Sequence, residues 1–329
     1  MALAAQTDIE DEVRRDMAIY VGGETAFTFW FGERATTIEP ARSGWPAVHD
    51  LADAGASAYS LPTEELLHLG ITQMPIHLYV PDRRSMRRSA RVIAHEWSGP
   101  IPPRSFLRVS RNVYMEAPIP CIMHMAGQLS KNELLMRCHQ LCGTYRLHEG
   151  QILARRPLAT KAELEAYVRS AAGMRGVQAL RRLIPLVAEG AASPREAALA
   201  AALRQRLHDG GCGLPAFELN HPVGDGADGP VRYADVLFAL LRIIIEYDSD
   251  LFHTGAEKIG RDAARRAQLE VQGYRVVTLT NWQIRERDEF DAVIDLVRSW
   301  MGKGPLPLDD PAYARAHARL MDELFGPVR

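Results

Sequence analysis

A short apolar run in the C-terminal third of the chain constrains the fold more than any other feature. Residues 242–247 read Arg-Ile-Ile-Ile-Glu-Tyr, without the alternation of a strand that has one face in water. A continuous run of this kind is typical of a strand covered on both faces. Such a strand needs partner strands beside it and helices above and below it. The run therefore predicts an α/β layer.

The segments around this run predict a small mixed sheet flanked by helices. Ser193-Pro194-Arg195-Glu196 has the pattern of a helix start, with a serine cap, a proline in the first turn and a glutamate that can close a capping box. The pattern then predicts three strands, a helix, a strand and a helix, over residues 216–223, 231–238, 242–247, about 256–271, 275–280 and 290–300. This order is that of an α/β unit.

The length of the chain, 329 residues, exceeds that of a typical single domain. We therefore expect an N-terminal α+β region for recognition or regulation, a helical connector, the α/β unit and a final helix, over residues 1–150, 151–190, 191–302 and 303–329.

Charge and composition limit the possible partners. The net charge of −2 excludes a uniformly basic nucleic-acid binder but leaves room for a local basic surface. The densest basic stretch contains Arg83, Arg84, Arg87 and Arg88, which we interpret either as a DNA contact or as a solvated surface.

The location of the protein is also predicted from the sequence. The acidic N-terminal segment does not have the pattern of a signal peptide, and no apolar run reaches the length of a membrane span. The 4 cysteines include no C-x-x-C pair, so neither a disulfide framework nor a zinc site is expected. We expect a cytoplasmic protein without a membrane partner.

Three acidic residues are predicted to meet on one sheet face. If a two-residue turn at Leu240 and Leu241 joins the two middle strands, Asp235 lies directly opposite Glu246. Asp248, two residues after Glu246, shares that face. A longer turn would make the pairing diagonal but would keep the side chains close.

Clustered carboxylates repel one another unless one is protonated or a cation lies between them. Oxygen ligands alone favour a hard ion such as Mg²⁺ or Mn²⁺. The alternatives are that the three carboxylates lie on a solvated edge or pair with arginines, the nearest in sequence being Arg232, Arg242 and Arg265.

Several motifs occur here in a fixed order. They are Ser193-x-x-Glu196, F-E-L-N-H-P-V at 217–223, R-Y-A-D at 232–235, I-I-I-E-Y-D at 243–248 with His253 after it, and Asp262-x-x-Arg265 with Leu269 and Gly273. In this order and spacing, residues 191–300 resemble the very-short-patch-repair-like branch of the PD-(D/E)xK nuclease superfamily. The upstream half, with Gly173-Met174-Arg175-Gly176, resembles abortive-infection antitoxins in its layout.

The resemblance implies a restriction-endonuclease fold and a metal-dependent DNA endonuclease of DNA repair or of defence against foreign DNA. Asp235 and Glu246 would then hold Mg²⁺ or Mn²⁺, with Asp248 in the place of the usual lysine. Glu196 would reach the metal directly or through water, and His253 would help to deprotonate the attacking water. The alternatives are a purely capping Glu196 and a surface-loop His253. Asp262 and Arg265 are interpreted as an orienting ion pair, with a catalytic role as the alternative.

A second functional class stays open. The chain could instead be a catalytically inactive DNA-binding regulator, or an antitoxin-like protein that retains the nuclease fold. It would then act on DNA, on a protein partner or as a homodimer. The complete set of acidic residues favours the enzyme, because a pure DNA binder gains nothing from negative charge that faces phosphate.

Overall fold

The computed structural model describes residues 18–33, 35–38, 45–57, 61–223, 232–248 and 256–326. The chain divides into two compact units. The first extends through Arg137 and includes Tyr145–Ile184, and the second contains Cys138–Thr144 and Pro185–Arg329. Within these described ranges, no helix combines the length and the apolar character that a membrane crossing requires.

The first unit contains a five-stranded mixed sheet with the strand order β3-β2-β1-β5-β4. Its strands are β1 (Ile19–Val21), β2 (Ile76–Val80), β3 (Val92–Glu96), β4 (Phe106–Arg108) and β5 (Val113–Glu116). Strand β1 runs parallel to β5 and antiparallel to β2. A separate hairpin is formed by β6 (Tyr145–His148) and β7 (Gln151–Ala154). The first unit thus combines helices with β-sheet, as the expectation of an N-terminal α+β region requires.

The helices described in the first unit are α1 (Gly23–Phe31), α2 (Thr63–His68), α3 (Pro118–Met125), α4 (Lys131–Leu141), α5 (Lys161–Ser170) and α6 (Val177–Leu183). The last residues of α4, from Cys138, belong to the second unit. Helices α3 and α4 are separate because Ser130 and Glu133 hydrogen-bond each other's backbone N–H, which begins a second helix. Helices α5 and α6, which lie in the predicted connector 151–190, belong to the first unit.

The second unit contains a four-stranded mixed sheet with the order β11-β10-β9-β8. Its strands are β8 (Glu218–Val223), β9 (Arg232–Phe238), β10 (Ile243–Asp248) and β11 (Arg275–Thr280). Neighbours are antiparallel except β10 and β11, which are parallel. The helices are α7 (Pro194–Arg204), α8 (Ala256–Val271), α9 (Asn281–Arg285), α10 (Arg287–Trp300) and α11 (Pro311–Phe325). The predicted order of helix, three strands, helix, strand and helix is confirmed.

Strand β10 lies at the centre of this unit. Ile243, Ile244 and Ile245 are each at most 1% exposed, and because successive side chains point to opposite faces, both faces of β10 are covered. On one face Ile244 packs in a cluster with Leu237 and with Leu269 of α8. The continuous apolar run therefore has the predicted two-sided cover.

The hairpin between β9 and β10 has the predicted register but a different turn. Ile243 pairs with Phe238 and Ile245 with Val236, as a two-residue turn would require. The connection is nevertheless four residues long, with a 3-10 turn at Ala239–Leu241 and Arg242 in the left-handed region at φ 51°. The register survives because the longer loop adds one residue to each side of the turn.

Candidate functional site

Asp235 and Glu246 lie next to each other on β9 and β10. The register of these strands, continued one residue beyond the pair of Ile245 and Val236, places them side by side. Asp235 Oδ2 accepts a hydrogen bond of 2.7 Å from the backbone N–H of Tyr247. Asp248 follows on β10 and shares the face of Glu246 by strand alternation. The three acidic residues thus occupy one region of the sheet.

The carboxylate of Glu246 has an arginine partner. Arg265 of α8 places Nη2 2.9 Å from Glu246 Oε1 and also donates to the carbonyl oxygen of Tyr233 at 2.5 Å. Arg265 precedes Leu269 by one helical turn, and Leu269 packs against the same sheet face through Ile244. Apolar packing of α8 therefore positions this cation. The arginine-pairing alternative applies to Glu246, with Arg265 as the partner.

Glu196 lies in the first turn of α7, whose N-cap residue is Ser193. Its backbone N–H donates to Ser193 Oγ at 3.1 Å, and Oε1 accepts from that hydroxyl at 2.9 Å. Its Oε2 accepts from the backbone N–H of Ala192 at 2.9 Å and from Asn220 Nδ2 at 2.5 Å. Glu196 thus makes capping contacts with Ala192 and Ser193, and Asn220 connects the start of this helix to the sheet.

Asn220 joins the cap to the acidic region. In β8, Leu219 pairs with Val236 and His221 pairs with Ala234. Asn220 lies between these two pairs, at the position opposite Asp235 on β9. Its backbone is left-handed, with φ 49°, a conformation that asparagine tolerates better than most residues. The amide then donates to both Glu196 Oε2 and the carbonyl oxygen of Gly190.

The electrostatic surroundings of Asp235 are unfavourable for its ionised form. Burial raises the pKa of Asp235 above its usual value, and the charges of Glu196 and Asp248 raise it further. The Tyr247 N–H and the charge of Arg265 act in the opposite direction without reversing the shift. An additional positive charge at this place would stabilise the carboxylate of Asp235.

These residues fit a hard divalent cation in donor type and charge, since all the acidic donors are carboxylate oxygens and the pKa of Asp235 is raised. Their present arrangement is not that of a finished metal site. Across the described ranges, no three side chains of His, Cys, Asp or Glu are grouped so that they would hold a metal. His253 lies outside the described residues, as does the side chain of Asp262.

The basic stretch of the first unit is on the surface. Arg83, Arg84, Arg87 and Arg88 are all exposed. Arg83 Nε lies 3.2 Å from Glu96 Oε2, and Arg87 Nη1 donates to the backbone oxygen of Arg84 at 2.7 Å. Two of the four arginines, Arg83 and Arg87, therefore already have contacts within the protein.

The contact between Asn220 and Glu196 was not predictable from the sequence. Both residues were visible in their motifs, but the contact depends on the left-handed backbone at Asn220. An asparagine inside a strand pattern is the one signal that could have indicated a local break in the ladder.

The chain is similar in sequence to two uncharacterized proteins of Mycobacterium tuberculosis, from strains CDC 1551 / Oshkosh and H37Rv. Each is 27% identical over 274 residues, which cover 83% of this chain and 92% of the relative. No family profile matches the chain. No solved structure matches it significantly.

Proposed function

We propose that the second unit is a metal-dependent DNA endonuclease of the PD-(D/E)xK type. The observation that carries the proposal is the concentration of carboxylates around Asp235: Glu246 is its strand neighbour, and Glu196 and Asp248 both raise its pKa. A binding protein for an anionic polymer has no use for such a group, because it repels phosphate. An enzyme that recruits a divalent cation needs it.

The residues around Asp235 have distinct roles in this proposal. Asp235, Glu246 and Asp248 would hold Mg²⁺ or Mn²⁺. Glu196, which accepts a hydrogen bond from Asn220, lies near the same metal position. When bound, the cation stabilises negative charge on a phosphodiester and promotes the ionisation of water. Arg265 keeps Glu246 in place through its ion pair and adds positive charge near the phosphate. His253 remains the proposed proton acceptor.

DNA is the proposed substrate, and exposed arginines are the proposed means of binding it. In the first unit these are Arg83, Arg84, Arg87 and Arg88, with Arg84 and Arg88 as the better phosphate ligands because Arg83 and Arg87 have contacts of their own. Guanidinium groups bind phosphate oxygens through paired N–H donors.

A second function, a catalytically inactive DNA-binding regulator with the same fold, is favoured by one observation. Arg265 already neutralises Glu246 at 2.9 Å, so this carboxylate has a partner without any metal. A chain that has lost turnover would keep such a pair because it stabilises the fold.

The test is a plasmid-nicking assay on the full chain with Mg²⁺ and with Mn²⁺. We expect nicking by the wild type and its loss in Asp235→Ala, because removal of one metal-holding carboxylate abolishes turnover. Asp209→Ala is the matched control, since Asp209 lies in the same unit but beside His208 in a 3-10 turn after α7. It should retain nicking.

DNA binding, measured in parallel by fluorescence anisotropy, separates the two functions. Binding without nicking by the wild type would replace the enzyme with the regulator. Equal nicking by the wild type and Asp235→Ala would place the activity elsewhere and contradict the proposed site.

A further inference from the structure

The first unit contains a cavity of about 710 Å³ whose lining includes His77, His95 and His124. A volume of this size is in the range of small-molecule sites. Apolar side chains form a large part of the wall, among them Trp97, Ile101, Pro102 and Met174. Nothing in the proposed nuclease chemistry uses this cavity.

A buried carboxylate orients one of these histidines. Glu116, at the end of β5, is 0% exposed, and its Oε1 lies 2.5 Å from His124 Nδ1. The same oxygen accepts from the hydroxyl of Tyr79 at 3.2 Å, and Oε2 accepts from the backbone N–H of Gly23 at 3.0 Å. With Nδ1 donating to Glu116, the other ring nitrogen of His124, Nε2, points away from the carboxylate. The side chain of His124 is 18% exposed and lines the cavity.

This arrangement requires a glycine at position 22. A Cβ on Gly22 would lie 2.1 Å from the ring of Tyr79, so only glycine lets Tyr79 lie across the end of β1 and reach Glu116. Gly22 is also the N-cap of α1, which places the Gly23 N–H at the first turn of the helix, where it meets the carboxylate. A fully buried carboxylate is costly to keep unless its hydrogen bonds are satisfied. Its use here is to fix the imidazole of His124.

The other two histidines of the cavity contact each other, and one of them also contacts a glutamate. His95 Nε2 lies 3.1 Å from His77 Nδ1, and His77 Nε2 lies 3.8 Å from Glu24 Oε2. Burial lowers the pKa of both His77 and His95. These two side chains are therefore neutral hydrogen-bonding groups at pH 7 and add no charge to the cavity.

An arginine is positioned at the same cavity by a glycine-bounded loop. Residues 173–176 read Gly-Met-Arg-Gly, and both glycines have left-handed backbones. A Cβ on Gly176 would lie 1.9 Å from the carbonyl oxygen of Met123, the residue before His124. This close approach holds Arg175 beside the helix that carries His124, and Arg175 lines the cavity.

We propose that this cavity binds a small organic anion, a carboxylate or phosphate carried on an apolar body, with Arg175 and His124 as the ligands of the charged group. In the complex, His124 donates from Nε2 to the anion and from Nδ1 to Glu116. Gln128, which also lines the cavity, supplies a further amide donor.

The charges around the cavity favour an anion over a cation. Glu116 is fully buried and satisfied by three donors. Glu96 is paired with Arg83, and the side chain of Glu24 is 72% exposed to solvent, which screens it. The groups presented to a ligand are therefore mainly donors, while the apolar wall accommodates an uncharged body.

The test is isothermal titration calorimetry of the full chain with phenyl phosphate and with benzoate, and with uncharged benzamide as the control ligand. We expect at least one anion to bind with a Kd of about 1 mM or tighter, and Arg175→Gln to weaken it about tenfold. Arg181→Gln is the matched control, because Arg181 is an exposed arginine of the same unit that does not line the cavity. Binding of only one anion identifies the charged group that the site takes.

A second measurement follows His124 without altering the buried carboxylate. In spectra of the protein with ¹⁵N-labelled histidine, addition of the anion should shift the imidazole signals of His124 and leave those of His68, an exposed residue at the end of α2, unchanged. Absence of binding by both anions up to about 10 mM, equal affinity for benzamide, or an unchanged Kd in Arg175→Gln would each overturn the proposal.

Discussion

Asp235 and Glu246 are neighbours in the sheet, yet their side chains have opposite electrostatic surroundings. Asp235 is largely buried near Glu196 and Asp248, and burial raises its pKa. Glu246, whose side chain is 19% exposed, has the guanidinium of Arg265 at 2.9 Å. Neutralising each carboxylate should therefore change stability in opposite directions.

We predict that Asp235→Asn raises the free energy of unfolding at pH 7 without divalent cations. The asparagine oxygen still accepts from the Tyr247 N–H, while the unfavourable charge is removed. Because the pKa of Asp235 is raised in the fold, ionisation weakens the wild type at neutral pH. The advantage of the variant should vanish below about pH 3.8, the ordinary value, where Asp235 is protonated in both states. Urea unfolding at several pH values measures this.

Glu246→Gln is the matched comparison at the residue scale. It removes the charge that Arg265 pairs with, and the free energy of unfolding should fall by about 0.5–1 kcal/mol, as for a partly exposed ion pair. With millimolar Mg²⁺, the wild type should gain stability and both variants should not. A stabilised Glu246→Gln in the absence of metal would show that Arg265 contributes nothing to this carboxylate.

The contacts of some of these residues could be predicted from the sequence, and those of others could not. The opposition of Asp235 and Glu246 follows from a turn centred on Leu240 and Leu241, and the longer turn keeps this register because it adds one residue to each side. The ion pair of Arg265 depends on how α8 packs on the sheet, and nothing local determines that. The contact of Glu116 with His124 joins a strand to a helix, and the ring of Tyr79 beside it needs the space left by Gly22; no periodicity indicates either feature.

At the scale of elements, α11 is attached to the second unit through a buried polar contact. His317 of α11 is 3% exposed, with Nε2 2.9 Å from Asp291 Oδ1 and Nδ1 2.6 Å from the carbonyl oxygen of Gly210. Both ring nitrogens face acceptors, so the imidazolium form is preferred. Burial alone lowers the pKa of His317, but the hydrogen bonds to Asp291 and Gly210 raise it above its usual value.

This contact makes stability depend on pH. Because the pKa of His317 is raised in the fold, its contribution is complete below the ordinary value of 6.5 and is lost as the pH rises through the folded value. We predict that the wild type loses stability above pH 6.5. His317→Gln should lower the free energy of unfolding at pH 6 by about 3 kcal/mol, as for a broken buried pair, and should remove this pH dependence.

Thermal unfolding between pH 6 and 9 measures the effect, with His208→Gln as the control. His208 also lies near an aspartate, Asp209, but its side chain is 67% exposed. The control should retain the stability and the pH profile of the wild type. An unchanged profile in His317→Gln would assign the pH dependence to another group.

The position of α11 also shows what a pattern can and cannot predict about an element. A final helix was predicted within residues 303–329, and α11 lies there, beginning at Pro311 and burying Leu320, which is 2% exposed. The partner surface, α7 and the 3-10 turn at Leu207–Asp209, was not predictable, because amphipathic spacing identifies the buried face of a helix but not what covers it.

At the scale of the whole molecule, the second unit is larger than the α/β segment 191–302 expected from the sequence. It extends from Pro185 through α11, together with the short segment Cys138–Thr144. Removing α11 would expose the surface of α7 on which it packs and would remove the buried apolar side chains of Leu320 and Met321.

We predict that a fragment of residues 185–326 unfolds cooperatively and that a fragment of residues 191–302 does not, or melts at least about 10 °C lower. Loss of several kcal/mol of apolar burial corresponds to a change of that size in a domain of this length. Circular dichroism during heating compares the two. Equal melting of both fragments would mean that α11 is not part of the folding unit.

The capping hydrogen bonds of Glu196 have one more consequence, which concerns exchange with solvent. Its Oε2 serves both the N–H of Ala192 and the amide of Asn220, so a cation drawn to this oxygen competes with both. The Ala192 N–H would then lose its acceptor and exchange its hydrogen for deuterium faster, while the Glu196 N–H, bound to Ser193 Oγ, would not. Deuterium uptake at Ala192, recorded with and without Mg²⁺, therefore reports whether a bound metal reaches Glu196 itself or only the carboxylates of the sheet.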